Sequence, residues 1–167
     1  MSNQEERSGE LSHFDAQGNA IMVDVSGKAI TTRVAVASGQ ISMNRAAIEA
    51  IVNGKVKKGD VLGVARVAGI MAVKNTATVI PMCHPLLISS SAIDFTIDQE
   101  ANTITVTCQV KIEGKTGVEM EALNGVSTAL LTIYDMVKAV DKTMLISGIM
   151  VTEKTGGKSG VYKRDAG

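Results

Sequence analysis

The stretch GKTGVEMEALNGVSTALLTIYDMVKAVDK, residues 114–142, carries the clearest structural pattern of the chain. From Val118 to Val140, its apolar residues have the spacing and the length of a core helix. Charged residues interrupt this run at four places, namely Glu119, Glu121, Asp135 and Lys138. Because buried charges are costly unless they are paired, the pattern predicts either a buried ion-pair network or a functional site.

Two alternating segments precede this helix and one apolar segment follows it. Residues Leu86–Asp98 and Thr103–Glu113 alternate apolar and polar side chains, which predicts an antiparallel pair with one packed face. Residues Met144–Thr152 are apolar on both faces apart from Ser147, which predicts a central strand.

The first half of the chain predicts a hairpin and two helices. Ala20–Ser26 and Thr31–Ser38 are short β-type runs around a Gly-Lys turn, which is typical of a hairpin. Ser42 is the predicted N-cap of a helix that ends near Val52, and Asp60 that of a helix that ends near Lys74.

The predicted order β-β-α-α-β-β-α-β favours an α+β fold, a ferredoxin-like sandwich in which helices pack on one face of an antiparallel sheet. We expect one catalytic domain over residues 14–153, since 167 residues are typical of a single domain. We also expect a flexible N-terminus over residues 1–13 and a flexible, Gly- and Lys-rich tail over residues 154–167.

Composition excludes several classes of function. Lys plus Arg and Asp plus Glu both number 17, so the zero net charge argues against a general binder of nucleic acid or anionic membranes. Two Phe, two Tyr and no Trp argue against an RNA-binding sheet that stacks bases. No signal-type segment and no C-x-x-C pair occur, so we expect a reduced, cytoplasmic protein.

A histidine between two prolines is the first candidate for chemistry. Pro81 and Pro85 are the only prolines of the chain, and they bracket His84 on a loop that they stiffen. Because histidine titrates near neutral pH, this residue could act as a general acid or base. The alternative is a histidine with only a structural role in the loop. No base is evident for Cys83, which fits a packing residue better than a nucleophile.

The charged residues of the long helix leave alternatives open. Asp135 and Lys138 share a helix face, so they either pair with each other or point at a shared ligand. Glu119 and Glu121 follow a Thr-Gly step, where the helix dipole alone explains acidic residues.

Several cations lie near glycines or strand ends. The segment GGKSG, residues 156–160, resembles the end of a phosphate-binding P-loop, but its first glycine and a following helix are missing. A glycine-lysine tail that closes over phosphates is the favoured interpretation. The scattered cations are Arg33, Lys57, Lys58, Arg66, Lys74, Lys154 and Lys158.

Together these segments resemble the cyclic pyranopterin monophosphate synthase family, the molybdenum cofactor biosynthesis protein C family. The resemblance extends from residue 14 to residue 160. The motifs that carry it are Met22–Ser26, Gly59–Asp60, Ala65–Ile70, Ile80–Leu86, Gly114–Leu123, Leu131–Ala139 and Gly156–Gly160.

The resemblance implies a lyase that uses no redox cofactor. It assigns no metal ligands, and the sequence leaves a metal requirement open. Its implied substrate is 3′,8-cyclo-7,8-dihydroguanosine 5′-triphosphate, and its implied products are cyclic pyranopterin monophosphate and diphosphate. It also implies a homo-oligomer, a hexamer built as a trimer of dimers, with the active site at a dimer interface.

The resemblance also assigns site residues. The implied catalytic residues are Lys58, His84, Glu119, Asp135 and Lys138. The implied substrate-binding residues are Arg33, Lys74, Cys83, Met120, Glu121, Lys154 and Lys158. One departure is Gly125, which costs about 1 kcal/mol relative to alanine inside a helix.

Two other functions compete with this interpretation. A non-catalytic ferredoxin-like module for ligand binding or oligomerisation would let His84, Asp135, Lys138 and Lys58 scatter, whereas catalysis requires them in one pocket. An unrelated nucleotide phosphohydrolase would turn over plain GTP with a metal ion.

Overall fold

The computed structural model describes residue 15 and residues 17–165, so the predicted flexible segment 1–13 lies outside the described residues. The predicted α+β class is confirmed, with helices and an antiparallel sheet in one chain. The elements are β1 (Thr31–Ser42), α1 (Arg45–Val52), α2 (Val61–Lys74), α3 (Thr76–Val79), β2 (Ser90–Asp98), β3 (Thr103–Gly114), α4 (Glu119–Val137), β4 (Leu145–Thr155) and β5 (Tyr162–Lys163). None of the helices within this part of the chain is long and apolar enough to cross a membrane.

The sheet has the strand order β2-β3-β1-β4-β5, and every neighbouring pair is antiparallel. Up to β4, the order is strand, helices α1–α3, two strands, helix α4 and strand, which is the β-α-β-β-α-β order of a ferredoxin-like fold. Strand β1 is central, since Ala37 lies opposite Cys108 of β3 and Val151 of β4. The single-domain division stays a prediction.

The core lies between the sheet and α4. In β3 every second side chain from Ile104 to Ile112 is buried, as the alternating sequence predicts. Leu130 and Ile133 of α4 are fully buried against this face, and α2 packs beside α4. The long helix is therefore the element on which both the core and the charged residues depend.

Gly125 has a packing explanation that its sequence position did not reveal. A Cβ atom there would lie 2.8 Å from Cys108 Sγ and 2.9 Å from Val73 Cγ2. On α2, a Cβ atom at Gly69 would lie 2.9 Å from the carbonyl oxygen of Gly125. The two glycines let α2 and α4 approach each other and the sheet closely, which offsets their low helix propensity.

Two boundaries in the first half were predicted wrongly. Residues 21–25 form no strand, so the predicted hairpin is absent and β1 pairs with β3 and β4 instead. Strand β1 continues through Ser42, and the side chain of Asn44 caps α1 by accepting from Ala47 N at 2.8 Å. The predicted cap Asp60 is confirmed, since its carboxylate accepts from Gly63 N at 2.9 Å.

The prediction of a central strand at residues 144–152 holds for the pairing of the strand, but the burial that a central position implies is not found. Strand β4 lies between β1 and the two-residue β5, and none of its residues is buried. Leu145 and Ile149 are 62% and 39% exposed. The apolar residues remain uncovered because α4 covers only one face of the sheet within this chain.

Candidate active site

The predicted site residues fall into two groups at opposite ends of α4. Asp135 follows Glu119 by sixteen positions, which corresponds to about 24 Å along a helix axis. The group at the start of α4, here called the His84 cluster, contains Arg33, Lys74, Cys83, His84, Glu119, Met120, Glu121, Lys154 and Lys158. The group at its end, here called the Asp135 cluster, contains Lys58, Asp135 and Lys138. The convergence that catalysis requires is therefore not met within one subunit.

The His84 cluster surrounds a cleft of about 310 Å³. The proline-bracketed loop before β2 supplies Cys83 and His84 to one wall, and the first turn of α4 supplies the glutamates to another. Strand β1 adds Arg33. The cleft thus combines one imidazole, two carboxylates and a guanidinium, a set suited to proton transfer on a polar, anionic ligand.

The two glutamates of the cleft have different environments. Glu121 is only 4% exposed, and its burial, with a further contribution from the charge of Glu119, raises the pKa of its carboxyl group. Glu119 lies 3.4 Å from the ammonium of Lys154. Burial and then the nearby Glu121 raise the pKa of Cys83, so its thiol stays protonated as a packing group.

The tail packs against Arg33 and extends the basic side of the cleft. The guanidinium donates from Nε to the carbonyl oxygen of Gly114 at 3.0 Å. Gly157 has a φ of +73°, and a Cβ atom there would lie 2.4 Å from Arg33 Nη1, so a larger residue would displace the arginine. Lys154 Nζ lies 2.7 Å from Ser159 Oγ. A cavity of about 650 Å³ adjoins this region, and both Arg33 and Lys158 line it.

Lys74 lies behind the histidine loop rather than in the main cleft. It lines a small cavity of about 120 Å³ together with His84 and Glu121. Lys74 thus shares a cavity with the carboxyl group and the imidazole of the main cleft.

The Asp135 cluster is one carboxylate between two ammonium groups. Lys58 Nζ lies 2.9 Å from Asp135 Oδ2, and Lys138 Nζ lies 2.5 Å from Oδ1. Hydrogen bonds from Lys138 and then from Lys58 lower the pKa of Asp135 to about 2, and the aspartate raises the pKa of Lys138. All three side chains are about half exposed, and they line a cavity of about 420 Å³. The predicted salt bridge between Asp135 and Lys138 is present, and Lys58 adds a second ion pair to the same carboxylate.

Some lining residues were not among the predicted site residues. Lys28 and Lys115 line the main cleft, and Lys142 lines the cavity of the Asp135 cluster. Two of them had an indication in the sequence, because Lys115 lies in the motif Gly114–Leu123 and Lys28 follows Gly27 in a predicted turn. Among the described residues, no three His, Cys, Asp or Glu side chains gather in a way that could hold a metal ion.

Comparison with known proteins shows the family of this chain. A family model described as "MoaC family" matches residues 22–157. A protein of Clostridium perfringens (strain 13 / Type A) named cyclic pyranopterin monophosphate synthase is 60% identical over 152 residues, which are 91% of this chain and 96% of that protein. Proteins of the same name from Desulfitobacterium hafniense and Chloroflexus aggregans are 59% and 54% identical to this chain over 156 residues. These residues are 93% of this chain and 95% and 94% of the two proteins, respectively. The chain belongs to the MoaC family.

Proposed function

We propose that this protein is a lyase of molybdenum cofactor biosynthesis. It converts 3′,8-cyclo-7,8-dihydroguanosine 5′-triphosphate into cyclic pyranopterin monophosphate and diphosphate. The observation that carries this proposal is the 60% identity to a relative named cyclic pyranopterin monophosphate synthase, over 91% of the chain. The residues of both clusters suit this chemistry.

Opening the guanine-derived ring and closing a pterin ring require several proton transfers. The His84 imidazole, the buried Glu121 carboxyl and the paired Glu119 carboxylate have three different environments. Groups whose pKa values are separated by their environments can act as acid and as base at one pH. We assign this role to the His84 cluster together with Asp135 and Lys138.

Formation of the cyclic phosphate requires a second type of stabilisation. A sugar hydroxyl attacks the α-phosphorus and loses its proton to a base, while the bond to the diphosphate leaving group breaks. Cationic groups stabilise the charge on the phosphoryl oxygens during this step. Arg33, Lys58, Lys154 and Lys158 are the cations that we assign to this function.

We further propose that the active site is completed between two subunits of a cytoplasmic homo-oligomer, a hexamer built as a trimer of dimers. The Asp135 cluster of one subunit would meet the His84 cluster of its partner. The separation of the clusters by about 24 Å along α4 supports this, since neither cluster alone holds all the required groups. A two-fold dimer would form two equivalent composite sites.

Mixing two inactive variants tests both the function and the shared site. We expect His84→Ala and Asp135→Asn to lower turnover of the cyclised substrate by about 10²- to 10⁴-fold each. When the two variants are unfolded and refolded together in equal amounts, random pairing should restore about a quarter of the wild-type activity. Restoration occurs because half of the dimers then carry one intact composite site.

The matched control mixes His84→Ala with Glu119→Gln, two variants of the same cluster. This mixture should stay inactive, because no pairing of these subunits yields an intact site. If the first mixture also stays inactive, the shared site is refuted. A wild-type protein that forms no product from the cyclised substrate refutes the lyase function, and metal-dependent turnover of plain GTP would favour the phosphohydrolase.

A further inference from the structure

Residues 21–29, here called the cleft strap, form one wall of the main cleft without being part of the sheet. Val23 and Val25 are half-buried and line the cleft, together with Lys28. Ile21 and Met22 of the same segment are 42% and 50% exposed. The strap therefore presents apolar side chains toward the cleft but buries little surface of its own.

Among the described residues, the backbone amides of the strap donate hydrogen bonds only within the strap. Ser26 N donates to Asp24 Oδ1 at 2.8 Å, and Lys28 N donates to Val25 O at 3.1 Å. Within the part of the chain that the structure describes, one hydrogen bond ties the strap to the rest of the fold. Lys115 Nζ donates it to the carbonyl oxygen of Ser26 at 2.6 Å.

The electrostatics of the strap agree with this attachment. Hydrogen bonds from Ser26 lower the pKa of Asp24, and the positive charges of Lys115 and His84 add to the effect. The Asp24 carboxylate is thus stabilised in its charged form by the cations at the cleft. A charge-assisted hydrogen bond is stronger than a neutral one, so Lys115 is suited to hold a segment with few other contacts.

We propose that Lys115 is a positioning residue that holds the cleft strap over the main cleft and so completes the binding site. The hydrogen bond from Lys115 to the carbonyl oxygen of Ser26 is here called the latch. This inference rests on the proposed function of the cleft. With the latch closed, Val23 and Val25 cover a bound ligand from the side opposite α4. With the latch broken, the strap opens readily and the ligand is released faster.

Hydrogen exchange of the ligand-free protein tests the latch directly. In Lys115→Met, the amides of Ser26 and Lys28, which donate hydrogen bonds inside the strap, should exchange about 10-fold faster than in the wild type, while those of β3 and α4 stay unchanged. Lys115→Arg can still donate to the Ser26 carbonyl oxygen, so it should exchange like the wild type. Lys111→Met is the matched control, because Lys111 is an exposed lysine on neighbouring β3. Equal exchange in Lys115→Met and the wild type overturns the proposal.

Kinetics with the cyclised substrate separate the latch from direct ligand contact. We expect KM of Lys115→Met to rise about 10-fold with kcat within about twofold, and Lys115→Arg to recover most of the loss. A raised KM with unchanged exchange would assign Lys115 to ligand contact and overturn the latch. Faster exchange with unchanged KM would overturn its role in binding. A wild type that forms no product refutes the proposed function, whereas the exchange comparison still decides on the latch.

Discussion

At the scale of single residues, Glu121 is the carboxyl group whose placement the helix dipole does not explain. Glu119 stands in the first turn of α4, is partly exposed and pairs with Lys154, as a helix start favours. Glu121 lies in the same first turn, but it is buried at the cleft beside Cys83 and His84, which the helix dipole does not require. A group that is held in an unfavourable environment at a cleft is typical of an active site.

The burial of Glu121 predicts that a substitution here raises stability and lowers activity. The pKa of Glu121 is raised by burial in the folded state, so its contribution to the free energy of unfolding falls as pH rises from about 4.5 through the folded pKa. Glu121→Gln removes this loss. We expect the variant to melt above the wild type at pH 8, with the gap closing toward pH 4, and kcat/KM to fall by about 10²-fold.

Thermal unfolding followed by circular dichroism between pH 4 and pH 8 measures this effect. Glu100→Gln is the control, because Glu100 is exposed in the turn after β2 and should leave the pH dependence unchanged. A Glu121→Gln protein that melts below the wild type at pH 8 would show that the buried carboxylate stabilises the fold.

At the scale of elements, the contact of α4 with β3 and α2 determines where the two charged ends of α4 lie. Gly125 is a close approach in this contact, with Cys108 and Val73 occupying the space of a Cβ atom. An added methyl group here must move either the helix or the sheet, because protein interiors are close-packed.

Gly125→Ala should therefore destabilise the protein even though alanine favours helix. Overpacking costs about 1–3 kcal/mol and the higher helix propensity returns about 1 kcal/mol, which leaves a net loss of up to about 2 kcal/mol. Urea unfolding measures this loss. In the double variant with Cys108→Ala, the loss should be smaller than the sum of the two single losses, since the sulfur atom is gone. A more stable Gly125→Ala protein would contradict the packing argument.

At the scale of the whole molecule, the chain carries two separate candidate clusters, and the Asp135 cluster is half exposed rather than enclosed. Lys58, Asp135 and Lys138 are 48%, 58% and 53% exposed, whereas electrostatic stabilisation of a transition state is strongest where water is excluded. The proposed dimer supplies the missing cover. Activity should then belong to the assembly and not to the single chain.

The expected consequence is a dependence of specific activity on protein concentration. On dilution, turnover per chain should fall in parallel with the fraction of dimeric or larger species, because binding between subunits follows mass action. Light scattering after size exclusion, with activity measured on the same fractions, provides the comparison. Full activity in fractions of monomer mass would contradict the shared site.

The sequence by itself determined the features that depend on near neighbours. The alternation in β3, the apolar spacing of α4 and the Asp60 cap each depend on residues within a few positions, so their patterns predicted the structure correctly. The family resemblance likewise rested on contiguous motifs, and the comparisons confirmed it.

Only the tertiary structure decided the features that depend on distant contacts. The cap of α1 lies at Asn44 because β1 continues through Ser42 to stay paired with β3 and β4. Strand β4 is exposed because helices cover one face of the sheet only. The two clusters lie apart because α4 is one continuous helix between them, whose rise of about 1.5 Å per residue separates any groups placed at its two ends.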